Sequence, residues 1–235
     1  MHLQLSPPKR INTLLELRAP FDWLTVAAAL PRLLTKSKGD SRPILLLPGY
    51  MTDENSMQPL KQYLKYLNYT VYDWGLGKNL GNIEADVELV GQRLRVLREE
   101  HNLQPFTLIG WSLGGVVARE LTRLYSDDVR EVITMGTPIT GGPKYTVAGQ
   151  QFAKAKGIDL DLFEDYVFDR NCLGFSQPVT SIYSKSDGVV GWQSSIDVYN
   201  PQARNIEVKS SHFGIGIHGK VWRIIAETLA GHNQQ

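Results

Sequence analysis

The sequence is poor in cysteine and carries no excess charge of either sign. Cys172 is the single cysteine among 235 residues, so an internal disulfide is excluded, and no Cys/His spacing indicates a zinc site. Lys and Arg total 25 against 24 Asp and Glu, for a formal net charge of +1. Nucleic-acid-binding domains are usually strongly basic, so no nucleic-acid partner is expected.

Long hydrophobic runs are also absent. The longest uncharged apolar run, residues 23–30, falls short of the roughly 20 residues that a membrane-spanning helix needs. The N-terminus does not resemble a secretory signal, because two prolines precede Lys9 and Arg10, and Glu16 and Asp22 interrupt the stretch that follows. A cytoplasmic location is therefore expected, and peripheral association with a membrane is compatible with it.

Residues 1–40 differ from the rest and are predicted to form a helical extension. Segments 12–17 and 21–34 have helical patterns, with Pro20 between them and Pro31 inside the second. Two interpretations stay open for their apolar surface. The helices pack on the core of the protein, or residues 11–35 make a peripheral membrane contact.

From Ser41 onward, apolar runs alternate with helical periodicity, which predicts an α/β domain over 41–235. Unbroken apolar runs are typical of strands buried on both faces of a parallel sheet. The fold class is therefore a three-layer α/β/α arrangement around a mainly parallel sheet of about six strands, with functional residues expected at the strands' carboxyl ends. The predicted strands are 44–47, 70–74, 106–110, 132–135, 179–183 and 206–209.

A G-x-S-x-G motif joins the third predicted strand to a helix, in Gly110-Trp111-Ser112-Leu113-Gly114. Such a turn is so tight that a side chain at either glycine would strike a neighbouring element, and it presents the serine hydroxyl above the sheet. Ser112 is therefore a candidate nucleophile. A glycine-rich turn that merely packs a helix on a strand is the alternative.

A serine nucleophile needs a base, and the base needs an anion that orients it. His212 follows the last predicted strand and precedes the final helix, which is where a base is expected. Asp187 directly follows the fifth predicted strand and is the preferred acid, although an aspartate beside glycine is also common in turns. Asp197, ten residues further on, is the rival.

These motifs resemble the α/β-hydrolase superfamily, particularly its small bacterial lipases and esterases. Gly136-Thr137-Pro138 also resembles triacylglycerol lipases and inositol-deacylase relatives, and the family's usual His-Gly is replaced by Pro48-Gly49. Residues 1–40 carry no such resemblance. The segments that carry it are Leu46-Leu47-Pro48-Gly49-Tyr50, Leu108-Ile109-Gly110-Trp111-Ser112-Leu113-Gly114-Gly115, Gly136-Thr137-Pro138, Ser186-Asp187-Gly188-Val189-Val190 and Ser211-His212-Phe213-Gly214.

The resemblance implies an oxyanion hole made of two backbone N–H groups. The first would be that of Leu113, after the nucleophile. The second maps to Tyr50, with Met51 as the alternative. The large apolar side chains of Met51 and Trp111 are expected to contact the substrate, which favours an acyl or aryl group over a charged metabolite.

The longest insert between strands, residues 141–178, is rich in aromatic and aliphatic side chains among many charges. Amphipathic helices there would suit a lid over the strand ends that excludes water. Ordinary packing helices at the sheet edge explain the composition equally well, so both interpretations stay open.

Together these features predict a serine hydrolase that cleaves a carboxylic ester through an acyl-enzyme on Ser112, with His212 as base and Asp187 as orienting acid. The substrate would be a small acyl ester or a lipid, and no metal or organic cofactor is implied. An acyltransferase using the same three residues is one alternative. A non-enzymatic ligand-binding protein with this fold is another. The sequence does not indicate the oligomeric state.

Overall fold

In the computed structural model, which describes residues 4–231, a six-stranded sheet forms the centre of the molecule. The strand order is β2-β1-β3-β4-β5-β6, and every neighbouring pair is parallel. All carboxyl ends therefore lie at one edge. The strands are β1 (Pro43–Leu47), β2 (Thr70–Asp73), β3 (Phe106–Trp111), β4 (Val129–Met135), β5 (Val179–Ser184) and β6 (Arg204–Val208).

Helices cover both faces of the sheet and complete the three layers. They are α1 (Arg10–Leu15), α2 (Asp22–Leu34), α3 (Gln58–Tyr66), α4 (Ile83–Glu100), α5 (Leu113–Leu124), α6 (Gly149–Lys156), α7 (Leu160–Cys172) and α8 (Gly219–Gly231). The predicted α/β/α fold class is confirmed.

The unbroken apolar strands divide their side chains between two cores, as the alternation of a β-strand requires. In β1, Leu46 belongs to a core with α3 and α8, whereas Leu45 and Leu47 belong to a second core with α4 and α5. Because both faces are buried, a polar residue in such a strand is costly. Apolar runs therefore located these strands well.

The N-terminal segment packs on the domain that follows it. α1 and α2 are joined by a 3₁₀ turn, Glu16–Phe21, which accommodates Pro20. Val26 and Leu33 of α2 are buried in the core shared with α8, and the rings of Trp23 and Trp222 meet edge to face at 6.3 Å. Among residues 4–231, no helix has the length and apolar character that a bilayer crossing requires.

Candidate active site

Ser112 lies directly after β3 and immediately before the first residue of α5, with φ 53° and ψ −123°. This left-handed φ is unusual for a residue with a side chain, so the surrounding packing must impose it. The flanking glycines show why. A Cβ on Gly114 would lie 2.2 Å from the Leu47 carbonyl oxygen, and a Cβ on Gly110 would lie 2.4 Å from the Cα of Gly115.

Asp187 and His212 are joined by a hydrogen bond of 2.8 Å between Asp187 Oδ2 and His212 Nδ1. Asp187 follows β5, His212 follows β6, and both are buried, with exposures of 3% and 2%. The other carboxylate oxygen of Asp187 accepts the N–H groups of Val189 at 2.8 Å and Val190 at 2.7 Å. Since a carboxylate only accepts hydrogen bonds, Nδ1 carries the proton and Nε2 is left as the acceptor.

The environment of His212 changes its pKa in opposing ways. Burial lowers the pKa, because the charged imidazolium loses its hydration. The charge and hydrogen bond of Asp187 raise the pKa, and the charge of Glu16 adds to them. The net result is a pKa above the ordinary value of 6.5.

The Asp187–His212 pair lies beside the turn that carries Ser112. The N–H of Ser112 donates to the carbonyl of Met135 at 2.8 Å. A Cβ on the next residue, Gly136, would lie 3.1 Å from both Asp187 Oδ2 and His212 Nδ1. Trp111 adds a second link, since its indole N–H donates to the His212 carbonyl at 3.3 Å.

Asp197 is engaged elsewhere. Its side chain forms a buried ion pair with Arg119, with 2.6 Å between Oδ2 and Nη1, and it accepts the N–H groups of Tyr199 and Asn200. The structure therefore gives the hydrogen bond with His212 to Asp187 and not to its rival.

The two proposed oxyanion donors lie at different element ends. Leu113 is the first residue of α5, where helix N–H groups have no partner within the helix. In the loop after β1, the N–H of Met51 donates to the Asn79 carbonyl at 2.7 Å, so it is not free to bind an oxyanion. The buried Asn79 also holds this loop through a bond from its amide to the Pro48 carbonyl at 2.9 Å. Tyr50 is thus favoured over Met51.

A cavity of about 550 Å³ opens in front of Ser112. Tyr50 and Leu113 line it near the serine, and Val189 and Val190 line it beside Asp187. Helices α6 and α7 of the insert and the linker between them line it with mostly apolar side chains: Phe152 of α6, Ile158 of the linker, and Phe163, Tyr166 and Val167 of α7. These contacts are compatible with the predicted lid, but whether the insert moves stays a prediction.

Met51 and Trp111 are not part of this cavity lining within the described chain. Met51 is half-exposed, whereas Trp111 is buried with its ring 5.7 Å from that of His212. Trp111 thus packs against the imidazole. The substrate contacts expected of these two residues stay predictions.

Charged side chains line the cavity as well, and the three arginines among them form ion pairs. Arg170 and Arg123 both form ion pairs with Glu120, and Arg119 pairs with Asp197. Burial lowers the pKa of Arg123 to about 10. These ion pairs reduce the net charge at the cavity wall, and most of the remaining lining surface is apolar. No cluster of His, Cys, Asp or Glu arranged to hold a metal ion occurs in residues 4–231.

Sequence reasoning missed Glu16, whose buried carboxylate contacts the loops of both Asp187 and His212. Its Oε1 accepts the N–H groups of Gly188 and His212, each at 2.8 Å, and its Oε2 accepts that of Phe213 at 3.1 Å. The one available signal was a lone glutamate inside an otherwise apolar and basic stretch.

Comparisons with known proteins agree with this architecture. Residues 42–155 match the family model described as alpha/beta hydrolase fold. A search of curated protein sequences finds no match.

Three solved structures illustrate the likeness. A monoacylglycerol lipase from Paleococcus ferrophilus is 14% identical over 84% of this chain and 97% of its own, with a TM-score of 0.62. A Bacillus licheniformis lipase is 14% identical over 83% and 94%, with a TM-score of 0.59. A bromoperoxidase from Bacillus anthracis is 16% identical over 83% and 93%, with a TM-score of 0.57. The resemblance of the sequence motifs is thereby confirmed, and the chain is an α/β-hydrolase-fold protein.

Proposed function

We propose that this protein is a serine hydrolase that cleaves carboxylic esters with an apolar acyl or aryl group. One observation carries the proposal. The hydrogen-bonded Asp187–His212 pair lies beside the strained turn of Ser112, and that turn faces an apolar cavity. The fold alone does not select this activity, since proteins described as lipases and as bromoperoxidases share it.

The reaction proceeds in two steps. His212 Nε2 takes the proton of Ser112 as Oγ attacks the ester carbonyl carbon, and the tetrahedral intermediate forms. The imidazolium, stabilised by Asp187, then gives the proton to the departing alkoxide, which leaves as the alcohol. In the second step His212 takes a proton from water, hydroxide attacks the acyl-enzyme, and Ser112 regains its proton as the acid is released.

The negative oxygen of each intermediate requires preorganised donors. The N–H of Leu113 is suited to this because it lies at the start of α5, where the helix dipole is positive. The N–H of Tyr50 is the second proposed donor. Each such donor is worth roughly 2.7–4 kcal/mol of transition-state stabilisation.

The test is covalent labelling combined with hydrolysis. Wild-type protein is expected to react with a fluorophosphonate probe and to hydrolyse p-nitrophenyl acyl esters. Ser112→Ala should abolish labelling and lower kcat by several orders of magnitude, because no acyl-enzyme can form. Ser126→Ala, which removes an exposed hydroxyl in a turn, is the matched control and should behave as wild type.

Retained labelling or turnover in Ser112→Ala would refute the proposal. Product analysis with added alcohols separates hydrolysis from acyl transfer, since a transferase would yield a new ester in preference to the free acid. A preference for strongly charged esters over p-nitrophenyl acyl esters would contradict the proposed substrate class.

A further inference from the structure

The N-terminal segment holds the two loops that carry the proposed acid and base. These loops follow the neighbouring strands β5 and β6, whose register places the loops side by side without orienting the side chains that they carry. Glu16 accepts hydrogen bonds from both loops: one from Gly188, next to Asp187, and two from His212 and Phe213. Glu16 as a whole is 8% exposed, so water competes little for these bonds.

Neighbouring contacts hold Glu16 in this place. The Thr13 hydroxyl donates to the Gly188 carbonyl at 2.7 Å, and the Asn12 amide donates to the Lys185 carbonyl at 3.0 Å. The fit is so close that a Cβ on Gly188 would lie 2.4 Å from the Asn12 carbonyl oxygen. The segment thus follows the acid loop over several residues.

We propose that Glu16 is a positioning residue, whose buried carboxylate ties the Asp187 loop to the His212 loop and so sets the hydrogen bond between them. The inference rests on the proposed function, because the positioned pair is its acid and base. Glu16 does not line the cavity in the described structure, so it acts through the pair and not on the substrate.

The chemistry of the partners makes the carboxylate hard to replace. Backbone N–H groups can only donate, and a carboxylate offers two oxygens that only accept. A glutamine would turn one of these oxygens into an NH₂ group that faces an N–H donor. Asp22, the other buried acidic residue of this segment, should tolerate replacement by asparagine. Its Oδ2 accepts a hydrogen bond from the Ser211 hydroxyl at 2.9 Å, and that hydroxyl can rotate to accept a bond from an asparagine NH₂ group instead.

The charge of Glu16 has a second consequence. The charged groups that raise the pKa of His212 are Asp187 and Glu16, acting against burial. Asp22 has other partners: its Oδ1 lies 4.0 Å from His218 Nε2, and its Oδ2 accepts a hydrogen bond from Ser211, the residue before His212. Removing the charge of Glu16 should therefore shift the pKa of His212 downward, whereas Asp22→Asn should not.

The experiment compares Glu16→Gln with Asp22→Asn in the full chain, using kcat, KM and the pH profile of kcat/KM. Glu16→Gln is expected to lower kcat by about 10²-fold with little change in KM, because misplacing a catalytic group by about 1 Å costs that much. Its acid limb should also move to lower pH. Asp22→Asn should keep the acid limb of wild type.

A folded Glu16→Gln protein with the kcat and acid limb of wild type would overturn the inference. If that variant does not fold, amide hydrogen exchange of wild type decides. The N–H groups of Gly188, His212 and Phe213 must all be protected, and rapid exchange of any of them would overturn the inference. Failure of the proposed function gives a different result, namely full activity in Ser112→Ala.

Discussion

Ser112 is the residue at which backbone strain and proposed chemistry coincide. A φ of 53° costs a residue with a side chain free energy that the surrounding structure must supply. Here close packing supplies it, since Gly110 and Gly114 let β3, β1 and α5 approach within distances that no Cβ would allow. This packing places Ser112 at the carboxyl end of the sheet.

Replacing Asp187 tests the orientation of the base. In Asp187→Asn the amide oxygen can keep the bonds from Val189 and Val190, which directs the NH₂ group at His212 Nδ1. The imidazole must then accept at Nδ1 and protonate Nε2, so it can no longer take a proton from Ser112. We expect kcat to fall about 10⁴-fold, measured with p-nitrophenyl esters.

The pH profile checks the same variant. The base works only when neutral, and its pKa in wild type lies above the ordinary value, so activity should fall as the pH drops through that raised pKa. Without the carboxylate, residual activity should persist to lower pH.

Asp197→Asn is the contrasting variant. It breaks a buried ion pair with Arg119, so it should lower thermal stability without moving the acid limb of the pH profile. The reverse pattern would assign the acid role to Asp197.

At the scale of elements, the strands were predictable and the insert was not. The central strands β1 and β3 are mostly apolar because both of their faces are buried, whereas the edge strand β6 is largely exposed. The predicted limits of all six strands differ from those found by only a few residues. Helices α6 and α7 have a weaker pattern, because their apolar side chains are divided. Phe163 and Val167 of α7 face the cavity, whereas Leu162 and Phe168 are exposed.

The division within α7 yields a test of the acyl-binding surface. Val167 lines the cavity, so Val167→Phe should shorten the space for an acyl chain. The ratio of kcat/KM for p-nitrophenyl laurate over butyrate is expected to fall about tenfold, since each lost methylene contact is worth about 1–3 kcal/mol. Leu162→Phe on the exposed side of the same helix should leave the ratio unchanged. Equal ratios in both variants would place the acyl chain elsewhere.

At the scale of the whole molecule, the N-terminal segment shows what the sequence could not predict. Glu16 binds N–H groups 172 and 196 positions away, and contacts between single residues and a distant backbone leave no periodic pattern. Because Glu16 points inward, its negative charge is absent from the exposed surface of the N-terminal segment. The acidic residues between positions 9 and 35, Glu16 and Asp22, are buried, so the exposed charge there is positive.

The outer face of this segment combines that positive charge with exposed apolar side chains, and we define it by both sets. The apolar set is Ile11, Leu14, Leu15, Leu17, Phe21, Trp23, Leu24, Leu30 and Leu34. The basic set is Lys9, Arg10, Arg18 and Arg32. Exposed apolar side chains flanked by cations are typical of a segment that lies in the interface of an anionic membrane. We propose that the outer face contacts such a membrane.

We therefore expect the protein to float with vesicles that contain phosphatidylglycerol, and to do so much less with pure phosphatidylcholine or at high salt, because screening weakens the cationic contribution. Leu17→Ser with Phe21→Ser should abolish flotation, since these side chains are 87% and 67% exposed and supply apolar burial. Leu103→Ser with Leu124→Ser, which removes exposed apolar side chains elsewhere, is the matched control and should still float.

The alternative is that this outer face binds a second copy of the chain. Dimers in sedimentation velocity that dissociate in the Leu17/Phe21 variant, without vesicle binding by wild type, would show that this face joins two copies and would refute the membrane contact.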